Sequence, residues 1–350
     1  MKTRSFKSFL NENNDEPYEI LILTHSQAHV RDTDSKDTGD HILLAAKAKK
    51  EGIKVHVVDF PGLEIKKGKD GGHILTSYAF DKDGLVIMPD DKGNKEYQEP
   101  INIHPEKTLI LARGLGTIGF TGNRNWYDEM KNFEMHEYTL VNDTEAFDLC
   151  TSKYFSYLKM VKENIRTPKT VPITHSSEVE ECVKRLGSDF PIVLKSSTGT
   201  QTGVGVVIVE SMRSLKALVQ MTLLYNKHLP LIIQEFVPID YDIRVIVCEG
   251  KILGSMKREV ISGDGRSNVS LGAEASQIEL TEMEKSEAIR IAEVFGTRLA
   301  GIDLLPADNR EKEKPYCLEV NSNPGFRGIE KYVGGITKQF INMFKDKSIW

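Results

Sequence analysis

Apolar and polar positions along this chain follow two periods. Y-E-I-L-I-L-T, from Tyr18 to Thr24, is a continuous apolar run of strand length and predicts a buried β-strand. Gly39 to Lys50 carries apolar residues at helical spacing and is closed by Gly52, after which K-V-H-V-V-D-F predicts a second strand. This β-α-β opening implies a parallel sheet and a first domain of open α/β type. From Gly62 to His104 the chain turns polar and Gly-rich. There H-I-L-T-S-Y-A-F and G-L-V-I-M-P flank D-K-D-G, the pattern of a hairpin inserted into that domain. L-V-N-D-T-E-A-F-D-L predicts a helix capped at Asn142, and T-S-K-Y-F-S-Y-L-K-M-V-K-E-N a second capped near Thr151. R-T-P-K-T-V-P is extended and marks a domain boundary. Ser176 to Gly187 is a further helix, acidic in its first turn and stopped by Gly187.

The second half reads mostly as strands. Ile192 to Lys195 and Val204 to Val209 are joined by a loop of Gly, Ser and Thr whose small side chains let backbone N–H groups approach an anion, with Gly199, Gly203 and Gly205 permitting the turns. Lys195 ends the first strand, where it can reach a phosphate as a point charge; an ordinary glycine-rich hairpin with an exposed lysine explains the same residues. Leu231 to Pro238 is a strand that leaves the core at Glu235 and Phe236. D-Y-D-I-R-V-I-V-C and K-I-L-G-S-M-K-R-E follow across an E-G turn. Asp242 and Arg244 lie two apart and share a face, as the salt-bridged edge of a sheet would also have them. Thr281 with Glu284 forms a capping box that opens a helix running to Gly296.

That helix feeds the most informative stretch, A-G-I-D-L-L-P-A-D-N-R-E-K-E-K-P-Y-C-L-E-V-N-S-N-P-G-F-R-G. Asp303 interrupts one apolar run and Glu319 with Asn321 the next, and the charged, Pro-bounded segment between them suits a hairpin connection. The two runs predict an antiparallel pair. Glu319 and Asn321 then share a face while Leu318 and Val320 enter the core. Two carboxylates and an amide oxygen converge, a donor set suited to magnesium, which takes hard oxygen ligands and leaves positions for substrate phosphates. Two solvated acids flanking a strand pair would be the plainer account, but an unpaired charge inside an apolar run is costly.

Composition narrows the field. Of 350 residues 39% are hydrophobic and 28% charged, with a net charge of -5, which argues against a dedicated nucleic-acid binder. Cys150, Cys182, Cys248 and Cys317 are scattered without zinc spacing, which suits reduced thiols in the cytoplasm. The polar start over residues 1–16 has no apolar core of a secretion signal and reads as a mobile tail. No apolar run reaches the ~18 residues of a membrane span. T-L-I-L-A-R-G-L-G-T-I-G contains a G-x-G-x-x-G after a strand, but F-T-G-N-R-N-W opposes a helix at that point, so a dinucleotide-binding dehydrogenase is disfavoured.

K-S-S-T-G-T-Q-T-G-V-G-V, Q-E-F followed by D-I-R, G-D-G-R-S-N, A-G-I-D and E-V-N-S-N-P-G-F-R-G-I-E-K occur in this order between about Leu140 and Ile336. Together they resemble the ATP-grasp carboxylate–amine ligases, most closely the RimK-type glutamate ligases that extend the C-terminus of a ribosomal protein. The resemblance implies an α/β fold with a Rossmann-like N-terminal domain over 17–140, carrying the insertion at about 62–104. Two α+β subdomains, 141–236 and 237–350, would clamp ATP. It also implies roles. Lys153 and Lys195 contact phosphates, the backbone at Glu235 and Phe236 holds the adenine edge, and Asp242 contacts the ribose. Arg266, Ser267 and Asn268 lie beside the transferred phosphate, with Arg266 and Asn268 catalytic. Asp303, Glu319 and Asn321 bind magnesium or manganese, with two ions expected. The implied partners are glutamate or a similar amino acid and a protein or peptide acceptor such as a ribosomal protein, with room for a homo-oligomer and none for nucleic acid or membrane.

The sequence departs from that family in places. The phosphate loop is one residue longer near Thr202, Phe236 replaces a common tyrosine, and V-S-L-G-A-E-A follows Asn268 with Leu271 for a basic residue. A small-molecule ligase of the glutathione- or lysine-biosynthetic type, and a nucleotide-binding regulator without catalysis, are the rival readings.

Overall fold

The computed structural model describes residues 18–24, 40–80, 86–87, 90, 92–113, 125–198, 205–260 and 274–343. The chain divides into two compact units, one ending at Thr144 but rejoined by Thr297–Leu299 and the segment from Gly325, the other formed by Glu145–Gly296 and Ala300–Pro324.

The first unit begins with β1 (Glu19–Thr24), α1 (Asp40–Lys50) and β2 (Lys54–Asp59), and β1 pairs in parallel with β2, as the opening pattern requires. β3 (Glu64–Lys67), β4 (His73–Thr76) and β5 (Ile101–Ile103) form a separate antiparallel sheet in the order β3-β4-β5. The insertion thus holds a three-stranded sheet beyond the predicted hairpin. H-I-L-T takes its partners from both sides, and among the described residues the antiparallel bridge of Phe80 with Val86, with the Ile87 N–H donating to the Ala79 carbonyl at 2.8 Å, joins the two runs flanking D-K-D-G. The turn itself lies outside the described residues. β6 (Thr108–Ala112), α2 (Asn125–Met135) and β7 (Thr139–Val141) complete a four-stranded parallel sheet, β2-β1-β6-β7. Its inner strands are buried at every position because helices and loops cover a parallel sheet on both faces.

The segment from Gly325, assigned by sequence to the C-terminal subdomain, returns to this first unit. Its helices Phe326–Tyr332 and Ile336–Met343 contact α1. Asp40 at the start of α1 accepts from the Phe326 N–H at 3.0 Å and pairs with Arg113 at 2.9 Å. Arg113 in turn lies 5.3 Å from the centre of the Phe326 ring.

Asn142 is also corrected. The helix α3 (Thr144–Thr151) starts two residues later, and the Asn142 amide accepts from the Arg298 and Leu299 N–H groups and donates to the Leu299 carbonyl. The next helix, α4 (Lys153–Lys162), is capped by Ser152 beside the expected Thr151.

In the second unit β8 (Thr170–Ile173), α5 (Val179–Leu186), β9 (Ile192–Ser196), β10 (Val206–Val209), α6 (Met212–Tyr225) and β11 (Leu231–Glu235) build an antiparallel sheet, β10-β9-β11-β8, backed by two helices. Ile192, Leu194, Leu215 and Ile233 fill its core. Gly187 ends α5 at φ 70, in the left-handed region that glycine enters at least cost. β12 (Tyr241–Cys248), β13 (Lys251–Glu259), β14 (Ala275–Gln277), α7 (Glu282–Val294), β15 (Leu299–Leu305) and β16 (Tyr316–Asn321) form the second sheet, β14-β13-β12-β15-β16. The E-G turn has both residues at positive φ, 46 and 70, which matches the twist of a tight hairpin. α7 carries both halves of the Thr281–Glu284 capping box. β12 is an interior strand, so Asp242 and Arg244 do not lie on a sheet edge. No helix among the described residues is long and apolar enough to cross a membrane.

Candidate active site

β15 and β16 pair antiparallel with Asp303 directly opposite Glu319 and Gly301 opposite Asn321. The register shifts between Asp303 and Leu304, where Leu304 pairs with Cys317. Leu318 is thus the extra residue of a bulge and is only half-buried, while Cys317 and Val320 enter the core in place of the Leu318–Val320 alternation. Gly301 is required by a close approach: a Cβ there would lie 2.7 Å from the Pro324 Cβ. The turn after β16 folds over this space, with Asn321 Oδ1 accepting from the Asn323 N–H at 2.8 Å.

Asp303 is 5% exposed and lies at the centre of a buried ion network. Arg244 grips both its oxygens, with Nη2 to Oδ2 at 2.7 Å, and Arg258 approaches Oδ2 at 3.1 Å. Burial by itself would raise the Asp303 carboxyl, but Arg244 and then Arg258 outweigh it and hold the group down at about 2. Arg258 also donates two 2.6 Å bonds to Asp242, its directly opposed partner on β12. Asp242, expected at the ribose, is therefore buried, and both its oxygens accept from Arg258. Arg258, and Arg244 in this role, escaped sequence reading because their partners come from other strands. The only signal was that M-K-R-E puts a charge on the inward face of an otherwise apolar strand.

Beside this network Lys153, at the start of α4, pairs with Glu319 Oε1 at 3.2 Å. The helix is brought against β9 by backbone, the Lys153 N–H donating to the Ser197 carbonyl at 2.7 Å. Lys195 is buried at the end of β9 and donates to Gln234 Oε1 at 2.7 Å. Burial first, and then the charge of Lys153, push the Lys195 ammonium down to about 8, against the opposing pull of Glu319. Lys153, Lys195, Asp303 and Glu319 are thereby gathered in one electrostatic neighbourhood, with Asn321 on the same strand as Glu319. Glu235 ends β11, its N–H donating to the Lys169 carbonyl at 2.9 Å and its carboxylate accepting from the Lys169 N–H at 3.2 Å. Phe236 follows it, half-buried. Gly205 has φ +84, and among the described residues nothing lies within 4 Å of where its Cβ would be. Gly199, Gly203, Arg266, Ser267, Asn268 and the G-x-G-x-x-G segment lie outside the described residues.

A cation would find hard oxygen donors here. Of the roughly four lone-pair sites of a carboxylate, the guanidinium groups take three on Asp303 and leave one on Oδ1. Glu319 engages Lys153 through Oε1, and among the described residues Asn323 Oδ1 is buried with no hydrogen-bond partner. The donor set fits magnesium. Among the described residues no group of three or more His, Cys, Asp or Glu side chains gathers as a metal cluster, so a cation held here would need the amide oxygen as well as the two acids.

Comparison with known proteins identifies the fold and the family. A family model described as RimK-like ATP-grasp domain matches residues 150–344, more than half the chain. A protein of Vibrio atlanticus (strain LGP32), "Probable alpha-L-glutamate ligase", is 30% identical over 246 residues, covering 70% of this chain and 78% of its own. The ATP-grasp ligase PsnB complexed with a phosphomimetic variant of minimal precursor, Mg and ADP shares the fold at TM-score 0.61 with 16% identity, over 94% of this chain and 98% of that one. The macrocyclase MdnC bound with precursor peptide MdnA, from Microcystis aeruginosa MRC, does so at 0.62 with 14% identity, over 93% and 99%. Two opposed acids and two lysines thus sit on an ATP-grasp fold, and this chain belongs to the RimK-like ATP-grasp family, an ATP-dependent ligase that forms C–N bonds.

Proposed function

We propose that this ligase adds glutamate, or a similar amino acid, to the carboxyl terminus of a protein or peptide. The observation that carries the reading is the opposition of Asp303 and Glu319 across β15 and β16, with Lys153 bound to Glu319 and Lys195 in the same charged neighbourhood. In the first step a carboxylate oxygen of the acceptor attacks the γ-phosphorus of ATP. An acyl phosphate forms and the bond to the bridging oxygen breaks, releasing ADP. In the second, the amine attacks the acyl carbon, loses a proton and expels inorganic phosphate, leaving an amide. Such chemistry needs positioning and charge neutralisation more than proton shuttling.

Lys153 and Lys195 bind the phosphate oxygens. Gly199, Gly203 and Gly205 admit backbone N–H groups to them, and the backbone of Glu235 and Phe236 takes the adenine edge. Asp303, Glu319 and Asn321 hold magnesium or manganese, one or two ions, which when bound neutralise charge on the terminal phosphates. Arg244 and Arg258 keep the Asp303 carboxylate ionised and aimed. Asp242 contacts the ribose, its carboxylate oriented by the two bonds from Arg258. Arg266, with Ser267 and Asn268, meets the charge that develops on the transferred group, a role in which one donor is worth about 2.7–4 kcal/mol in other enzymes.

The test is incubation with ATP, magnesium, glutamate and peptides ending in different residues, read by mass spectrometry. A ladder of glutamyl additions on a polypeptide, a ribosomal protein among those tried, supports the proposal. Turnover only with small acids assigns the chain to the small-molecule ligases instead.

A further inference from the structure

Lys195 does not stand alone in its sheet. Thr170 on β8 is the direct cross-strand partner of Gln234 on β11. Lys195 on β9 pairs with Ile232, two residues from Gln234 and therefore on the same face. The three polar side chains form a rung across three strands, and all are buried, at 3% exposure for Thr170, 5% for Gln234 and 7% for Lys195. Lys195 Nζ donates to Gln234 Oε1 at 2.7 Å, Gln234 Nε2 donates to Thr170 Oγ1 at 2.7 Å, and the Thr170 hydroxyl donates to the Pro168 carbonyl at 3.0 Å.

The direction of this chain is fixed at both ends. A carbonyl can only accept and an ammonium can only donate. The Thr170 proton therefore goes to Pro168, its oxygen is left to accept the Gln234 amide N–H, and the amide carbonyl must face Lys195. A hydroxyl on one strand thus dictates which end of an amide meets the lysine two strands away. Without it the amide could turn its NH2 toward the ammonium, donor against donor.

We infer that Thr170 and Gln234 are positioning residues for ATP: they anchor the Lys195 ammonium by a one-way hydrogen-bond relay so that its remaining N–H groups meet the terminal phosphates. The inference rests on the reading of Lys195 as a phosphate contact. A lysine on a four-carbon stem carries substantial rotamer freedom, and the relay removes that freedom before the nucleotide arrives, which lowers the entropy cost of binding.

The experiment compares Thr170→Val, Thr170→Ser, Gln234→Met, Lys195→Met and the double variant Thr170→Val/Lys195→Met in the full chain. Each is measured for thermal unfolding and for KM and kcat toward ATP and toward the amino-acid substrate. Thr170→Val and Gln234→Met should raise the KM for ATP about tenfold, the low end of what a hydrogen bond to a charged group contributes, and leave the KM for the amino acid unchanged. Thr170→Ser, which keeps the hydroxyl, should behave as wild type. In the Lys195→Met background the added Thr170→Val change should have no further effect on ATP kinetics. A relay without consequence would show as wild-type ATP kinetics in Thr170→Val and Gln234→Met while Lys195→Met is impaired. A loss that Thr170→Ser shares, or that adds in full to that of Lys195→Met, would likewise overturn the inference and assign these residues to the fold alone. Wild-type ATP kinetics in Lys195→Met would instead remove the phosphate role of Lys195 on which it stands.

Discussion

Asp303→Asn keeps the volume of a side chain that two guanidinium groups surround and removes its charge. In the native protein Arg244 binds both oxygens and Arg258 adds a contact at 3.1 Å, all at a residue 5% exposed. Those charges hold the carboxyl at about 2 against an ordinary 3.8, which corresponds to about 2 kcal/mol of folding stability at neutral pH. The asparagine also turns an NH2 donor toward guanidinium donors, and losing one partner of a buried ion pair costs about 3–5 kcal/mol in all. At about 2–4 °C per kcal/mol for a unit of this size, Tm falls by roughly 6–20 °C. Urea unfolding of wild type and variant, followed by circular dichroism in buffer free of metal and nucleotide, measures the gap. Because the folded carboxyl sits below its unfolded value, its stabilisation is complete above pH 3.8 and is lost as pH falls toward about 2. The gap seen at pH 7 must therefore persist at pH 5 and narrow by pH 3. Equal stability at pH 7, or a gap that stays constant to pH 3, would refute the claim that charge holds this network together.

Gly301→Ala puts a Cβ 2.7 Å from that of Pro324, an overpacking that costs about 1–3 kcal/mol; because it pushes on the turn after Asn321, ligase activity should fall by more than thermal stability does. Thr281→Ala deletes the hydroxyl that caps α7 and should cost about 1 kcal/mol in denaturant unfolding. Glu284→Ala should cost more, since that carboxylate is 1% exposed and also holds Arg310 through two 2.7 Å bonds. Lys153→Met removes a charged donor worth about 1.5–3 kcal/mol to a phosphate, so calorimetric ATP affinity should drop on the order of tenfold or more. A chelator should abolish ADP release, magnesium should restore it, and a second manganese-dependent phase in the titration would mark a second ion.

Strand pairing near the site was legible because its signals are local: charged residues inside apolar runs, and a Pro-bounded polar connection between them. The bulge at Leu318 was not, since one extra residue in a strand leaves the composition unchanged and appears only when the partner register is known. The network around Asp303 was hidden for a related reason. Arg244 is 59 positions from Asp303, and only the order of strands in the sheet brings them together. Gln234 reads as an ordinary strand residue and Thr170, 64 positions away, as part of an extended segment at a domain boundary, for the same cause. Helix α2 was missed because the Gly and Asn cluster before Asn125 argues against a helix, and the helix begins just after it. Asn142 was read as a cap because asparagine at such a position usually is one, whereas a partner more than 150 residues away claimed its amide.

Asp40 has a consequence for how the chain is made. Its carboxylate holds the Arg113 guanidinium and the backbone N–H of Phe326, groups that leave the ribosome far apart in time. That unit therefore cannot be completed until the segment from Gly325 has been made. Until the helices Phe326–Tyr332 and Ile336–Met343 emerge, a half-buried acid and the apolar face of α1 wait without their covering. The intervening unit, drawn almost wholly from one continuous run of residues, can close during synthesis. Translation that stalls after Pro324 should yield a folded second unit attached to a first that chaperones still recognise.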